Sequence, residues 1–292
     1  MTTKHTILWV SAHPEAESLN GSLRADGIRH LLQAGHEIIE SDLYGMGWDP
    51  VLSGDGIVPP GDHFRVTDDT RRAYIEAKLP ADVEREQQKI LAADAVVVQF
   101  PLWWYGMPAI LKGWFDRVFL SGFAFGKDPH DGRRLRFENG PFAGKRALVV
   151  TTLGDRPASI GPRGKSGELT ELLFGLLHGT FAYTGMSALE PFAVPSADFT
   201  DAESYGDHQQ QLLRRLDGLF AEPAIPYRPQ FQGDYTDQWE LEPSVCPGES
   251  GLSIHRTATA TTGGGRPPNG SARGARTAAA CAAPPKRATQ RS

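Results

Sequence analysis

Two periodicities take turns along the chain as far as Phe220. Thr6–Ser11 (TILWVS), Ala95–Phe100 (AVVVQF) and Lys145–Thr151 (KRALVVT) are short, nearly unbroken apolar runs, as expected of strands buried on both faces. Glu37–Leu43 (EIIESDL) and Ala188–Val194 complete a set of five. Between them the apolar positions fall at helical spacing. Ser18–Ala34 aligns Leu19, Leu23, Ile28, Leu31 and Leu32 and stops at Gly35, a residue suited to a helix C-terminus. Thr67–Lys78, Ala81–Ala92, Pro108–Leu120, Glu168–Tyr183 and Asp201–Phe220 are further helices, with Pro108 in the first turn of its own. Strands alternating with helices predict an α/β fold: a doubly wound, five-stranded parallel sheet, flavodoxin-like, with helices on both faces.

The pattern fails after Pro223. We therefore expect one domain over residues 1–222, an extension over 223–250 rich in aromatics and prolines, and a disordered tail over 251–292. Charge sharpens that division. Seven of the 30 Lys and Arg, and none of the 35 Asp and Glu, lie beyond Ser250, which leaves −12 on the rest of the chain. An acidic body argues against nucleic acid as the main partner. Two cysteines, Cys246 and Cys281, are too few for a disulfide framework or a cysteine-based zinc site, and no metal is expected. The apolar run near the N-terminus is too short for a signal peptide or a membrane span, so the expectation is a cytoplasmic enzyme or binding protein without stable membrane insertion.

In such a sheet, ligands sit beyond the carboxyl ends of the strands. Three loops meet there: Ser11–Asn20 (SAHPEAESLN), Pro101–Gly106 (PLWWYG) and Thr151–Pro157 (TTLGDRP). The first leads into a helix whose N-terminus suits a phosphate, with His13, Ser18 and Asn20 as further donors; equally, Ser18 caps the helix and His13 is a polar loop residue. No G-x-G-x-x-G follows the first strand, so a Rossmann fingerprint is missing. Trp103, Trp104 and Tyr105 are either core or a platform for a flat ligand; three successive residues cannot all point into one core. Leu111, Trp114, Phe115 and Phe119 have the spacing of helix packing, against the core or a partner subunit. Thr151, Thr152, Leu153 and Gly154 form either a simple turn or a row of amides for an electron-rich ring edge.

Together these segments resemble the flavodoxin-like NAD(P)H:quinone oxidoreductase (DT-diaphorase) family from about Ile7 to Phe220. The resemblance rests on SAHPEAESLN, ESDLYGMGWDPVLS, QFPLWWYGMPAILKGWFDRVF, GPFAGKRALVVTTLG and FAYTGMSALEP. It implies bound FAD, NAD(P)H as co-substrate, a small planar, quinone-like acceptor, two-electron hydride transfer through flavin N5 in alternating half-reactions, and a homodimer. By position it assigns His13, Ser18, Leu19 and Asn20 to the FAD diphosphate, and Pro101, Leu102, Trp103, Trp104 and Tyr105 to the ring and ribityl chain. Thr151, Thr152, Leu153 and Gly154 take the polar edge of the ring, with Thr151, Thr152 and Gly154 acting on the reacting charge. Arg215 goes to the adenine end.

The chain also departs from that family. The Tyr and His that relatives carry after the fourth strand are replaced by DRPASIGPRGKSGE, where Arg156, Arg163 or Lys165 could supply positive charge. The tyrosines of the quinone slot are replaced around Phe123, Phe125 and Lys127, followed by the insert Lys127–Asn139. Some relatives are ancillary subunits of potassium-efflux antiporters, and smaller flavodoxin-like proteins are FMN electron carriers; these are the competing expectations.

Overall fold

Three runs of β-branched and aliphatic residues build the centre of the sheet because both of their faces are covered. In the computed structural model, which describes residues 3–128 and 131–257, they are β1 (Thr6–Ser11), β3 (Ala95–Pro101) and β6 (Arg146–Thr152). Val96, Val97 and Val98 are fully or almost fully buried, as are Leu148, Val149 and Val150. β1 pairs with β3 (Ile7 opposite Ala95) and β3 with β6 (Ala95 opposite Arg146), all parallel. The more polar β2 (Glu37–Asp42) lies outside β1. On the other side, β6 pairs with β7 (Ser187–Ala188) and β8 (Phe192–Val194), giving the order β2-β1-β3-β6-β7/β8.

Those last two strands are the fifth strand of the sequence pattern, split in two. Three residues, Leu189–Pro191, separate them where only Leu148 and Val149 separate their partners on β6. The surplus residue makes a bulge, and Pro191 has no N–H for the ladder.

Helices α1 (Leu19–Gln33) and α7 (Ala202–Asp217) cover one face, where Leu23, Leu31, Leu212 and Leu216 pack on Ile7, Trp9, Val97 and Val150. Gly27 permits the close approach: a Cβ there would lie 2.6 Å from the Trp9 ring. After α2 (Val66–Ile75), helices α3 (Ala81–Ala92) and α4 (Ala109–Val118) pack together. Buried Glu86 of α3 links them, accepting from Ser41 Oγ (2.6 Å) and Trp114 Nε1 (2.9 Å) and pairing with Lys89 (2.7 Å).

The helix expected over Glu168–Tyr183 is interrupted. It forms two short turns, α5 (Leu169–Leu172) and α6 (Phe174–Leu176), and then a π-helical turn, Leu177–Ala182. The insert Lys127–Asn139 contributes to a hairpin, β4 (Gly126–Lys127) with β5 (Arg134–Leu135), and a 3₁₀ turn, Phe137–Asn139. Contacts divide the chain into two units, Met1–Ala224 and Ile225–Ser292. In the second, the buried Arg228 guanidinium donates to the Ile254 carbonyl (2.7 Å) and pairs with Asp234 (3.1 Å), and a 3₁₀ turn covers Leu252–His255. The expected tail over 251–292 is thus folded over Gly251–Thr257, and residues 258–292 lie outside the described part. No described helix is long and apolar enough to cross a membrane.

Candidate functional site

Because β1, β3 and β6 run parallel, the loops that follow them emerge at one edge of the sheet. Beyond β1, Ser18 caps α1: its Oγ accepts from Gly21 N–H (3.1 Å) and donates to the Glu15 carbonyl (2.7 Å). His13 accepts from Glu15 N–H through Nδ1 (3.0 Å). The N–H groups of Leu19 and Asn20 have no partner among the described residues, so the positive end of α1 stays open. Here the loop lies very close to the helix: a Cβ on Gly21 would fall 1.8 Å from the Ala16 carbonyl oxygen. His13, Asn20, Gly21, Arg24 and Tyr44 line the adjoining cavity of about 290 Å³, where Arg24 is held by Glu40 (2.6 Å) and Asp42 (2.8 Å).

Asn20 belongs to a buried polar chain. Trp9 Nε1 donates to Gln99 Oε1 (2.8 Å), Gln99 Nε2 to the Asn20 carbonyl (2.7 Å), and Asn20 Nδ2 to Thr152 Oγ1 (2.5 Å). The remaining Asn20 oxygen, Oδ1, is buried without a partner among the described residues. A buried acceptor left open costs about 1–3 kcal/mol, so this atom fits a donor supplied by a ligand.

The aromatic turn faces outward. Gly106 N–H donates to the Trp103 carbonyl (3.0 Å), and the two residues between, Trp104 and Tyr105, hold φ of 52° and 58°. Left-handed backbone at two successive side-chain-bearing residues costs about 1–2 kcal/mol each and is found where function requires it. Trp103 and Tyr105 are about half exposed, and Trp104 is 98% exposed. None of the three is core. Leu102, by contrast, is buried, and Pro101 ends β3 inside the sheet.

Opposite lies the end of β6. Thr151 is fully buried and donates through Oγ1 to the Phe100 carbonyl (2.8 Å); Thr152 is occupied by Asn20, and Leu153 N–H is bonded to Val194 O (3.0 Å). The expected row of amides is therefore shorter. Gly154 is exposed, and of the four expected residues it is the one whose N–H stays open among the described residues; that of Asp155, just beyond, is open as well. Tyr105 OH donates to Asp155 Oδ2 (3.0 Å), as does Ser166 Oγ (2.7 Å), clasping the two loops together.

The hydroxyls of Ser166 and then Tyr105 hold the Asp155 carboxyl below the usual carboxylate range. A depressed value in the folded state means that the clasp contributes stability at neutral pH and loses it as the pH falls through that value. The gap in denaturant stability between the wild type and Asp155→Ala is thus expected to stay constant through the neutral range and to close below about pH 4.

Three expected residues lie elsewhere. Arg215, in the last turn of α7, donates to the Glu190 carbonyl and pairs with Glu222 (3.0 Å), whose carbonyl accepts from Arg146 at the start of β6. That is the amino edge of the sheet, because a crossover helix runs opposite to its strands. Phe123 is core, 3% exposed and packed on Tyr74 and Phe142. Lys127 is exposed on the β4–β5 hairpin. Phe125, however, lines an apolar groove of about 600 Å³ together with Tyr105, Met107, Phe119, Leu176 and Tyr183. Gln99 and the Asp155–Ser166 pair were not anticipated, although a lone amide in AVVVQF was a visible signal.

A sheet of this order, with its open edge at the first crossover, defines the flavodoxin-like class. Residues 5–217 match the family described as flavodoxin-like fold, and the chain belongs to the flavodoxin-like family of NAD(P)H:quinone oxidoreductases. It is 37% identical over 234 residues to a ribosyldihydronicotinamide dehydrogenase-like protein of Penicillium crustosum, covering 79% of this chain and 86% of that one. It is 31% identical over 256 residues to NAD(P)H dehydrogenase [quinone] 1 of Rattus norvegicus, covering 85% and 91%. A crystal structure of a candidate quinone reductase from Klebsiella pneumoniae superposes with a TM-score of 0.82 at 43% identity, covering 87% of this chain and 100% of that one.

Proposed function

We propose that the chain is an FAD-dependent NAD(P)H dehydrogenase that reduces quinones or similar planar acceptors by two electrons. The observation that carries this reading is the outward Trp104, held in strained backbone across from the open amides of Gly154 and Asp155. A flavin held here would supply the hydride chemistry that links donor to acceptor. The chain's own groups supply the rest. Trp104 offers an aromatic face for stacking. The amide dipoles of Gly154 and Asp155 stabilise negative charge with little reorganisation. The first-turn amides of α1 and the open Asn20 Oδ1 suit a phosphate and a polyol hydroxyl, in that order.

The cavity at the start of α1 extends to Asp42, Tyr44 and Gly45 at the end of β2, and this extension beyond the helix terminus is what supports FAD over FMN. The half-open apolar groove at Phe125 supports a flat acceptor and a homodimer in which a second copy helps to enclose it.

Purified protein is expected to be yellow, to release FAD on denaturation, and to oxidise NADH or NADPH faster when a simple benzoquinone is added. Colourless protein that takes up no added FAD would remove this reading. Release of FMN alone would instead place it among FMN-dependent carriers or reductases.

A further inference from the structure

We propose that the loop after β6 carries a separate anion site, which binds the phosphates of the hydride donor and selects nicotinamide dinucleotides over phosphate-free dihydronicotinamide ribosides. It rests on the quinone reductase reading above and adds to it the class of donor.

The site is a polar pocket of about 540 Å³ lined by Gly154, Asp155, Arg156, Ser159, Arg163 and Lys165. The loop is folded back on itself to make it. Ser159 Oγ donates to the Arg156 carbonyl (2.8 Å), and Ser166 N–H to the Ser159 carbonyl (3.0 Å). Gly164 approaches Ser159 so closely that a Cβ would lie 2.2 Å from the Ser159 carbonyl oxygen. This back-folding brings three cations, nine residues apart at most in sequence, to one concavity.

Three cations without close partners in one pocket are the telling feature. Among the described residues, the side chains of Arg156, Arg163 and Lys165 make no hydrogen bond or close ion pair, Lys165 feeling the charge of Asp155 only from beyond ion-pair distance, whereas Arg24, Arg72 and Arg117 are each matched with a carboxylate. The one carboxylate lining the pocket, Asp155, already accepts from Tyr105 and Ser166 through Oδ2. Asp198 stands at the pocket's margin, with Oδ2 3.2 Å from where a Gly154 Cβ would be. Three like charges gathered on an otherwise acidic chain repel one another, and a multivalent oxyanion turns that repulsion into attraction. Arginine is suited to it, since a planar guanidinium binds phosphate through two parallel hydrogen bonds. Gly154, exposed just beyond the end of β6, belongs both to this pocket and to the flavin edge proposed above. A molecule reacting at that edge can therefore reach the cations with its remote end. A nicotinamide dinucleotide has a pyrophosphate there, and in its phosphorylated form a 2′-phosphate as well. A quinone has neither.

The test compares flavin-loaded wild type with the triple variant Arg156→Gln, Arg163→Gln, Lys165→Gln; all three side chains are exposed, and folding is checked by the melting curve. The variant is expected to raise KM for NADH and NADPH by about thirtyfold or more, from the loss of charge-assisted bonds. The values for dihydronicotinamide riboside should stay within about twofold, because that donor has no phosphate for these side chains to bind. Inorganic pyrophosphate, titrated by calorimetry, should bind the wild type and not the variant. Equal KM changes for all three donors, or pyrophosphate binding that survives in the variant, would overturn the site. If the wild type binds pyrophosphate but oxidises no nicotinamide donor, the anion site stands and its assignment to a hydride donor falls with the function proposed above.

Discussion

Trp104→Gly is expected to make the flavin-free protein more stable and the flavin complex weaker. The indole is 98% exposed, so removing it opens no cavity in the core. Its backbone sits at φ 52°, where glycine carries no Cβ penalty. Relief of that strain is worth about 1 kcal/mol, or roughly 2–4 °C in the melting temperature of a domain of this size. Loss of the stacking face should cost about 1–3 kcal/mol of flavin binding, a tenfold to hundredfold rise in Kd. Trp104→Phe keeps the strain and a smaller aromatic face, so it should melt like the wild type and bind flavin with an affinity between those of the wild type and Trp104→Gly. Calorimetry of the flavin-free protein and fluorescence titration with FAD read the two quantities separately. A flavin-free variant that melts lower than the wild type would show that the ring is a packing residue.

This opposition explains why the aromatic turn was only half legible. The composition of PLWWYG, with three bulky rings in succession, was enough to show that they could not share one core. It did not show that the pivot residues would be left-handed, because that preference belongs to Gly, Asn and Asp, and local propensity argues against Trp and Tyr. Strained sites are the ones where sequence rules fail. The central strands were easy for the opposite reason: Val96–Val98 and Leu148–Val150 are buried on both faces, and burial on both faces leaves a continuous apolar signature. The fifth strand looked equally simple, yet one surplus residue and Pro191 split it.

Among the site residues, Asn20 could be placed because helix starts have recognisable chemistry, but its buried chain to Thr152, Gln99 and Trp9 depends on contacts between residues up to 132 positions apart. Arg215 shows the limit most clearly. It was assigned by motif position, whereas its location follows from the direction of α7, which delivers its last turn to the amino edge of the sheet. Thr151, expected in a row of amides, lies inside β6 and is fully buried. It has the hydroxyl that an electron-rich ring would want, but alternation along β6 turns that hydroxyl back to the Phe100 carbonyl.

Gly21→Ala should abolish flavin retention while leaving a folded protein. In an open helix the same change is favourable, by about 1 kcal/mol, because alanine loses less backbone entropy on folding. Gly206, in α7, has nothing within 4 Å of where an added methyl would sit, so Gly206→Ala is the control and should raise the melting temperature. At Gly21 the new methyl would meet backbone: the Ala16 carbonyl oxygen at 1.8 Å and its carbon at 2.7 Å. Neither can swing aside as a side chain does, so the loop from His13 to Ser18 must move away from the helix. That shift pulls Ser18 from its cap on Gly21 N–H and spreads the amides at the start of α1. Loss of the cap costs about 1 kcal/mol, tolerable for a domain of this size. The flavin's phosphates lose more, since binding there depends on several donors held together at the positive end of one helix. We expect colourless protein as isolated, with an FAD affinity at least about a hundredfold below wild type, or nearly 3 kcal/mol. Retention of wild-type affinity would show that the phosphates do not rest on this turn, and the proposed direction of the cofactor along the sheet edge would have to be abandoned.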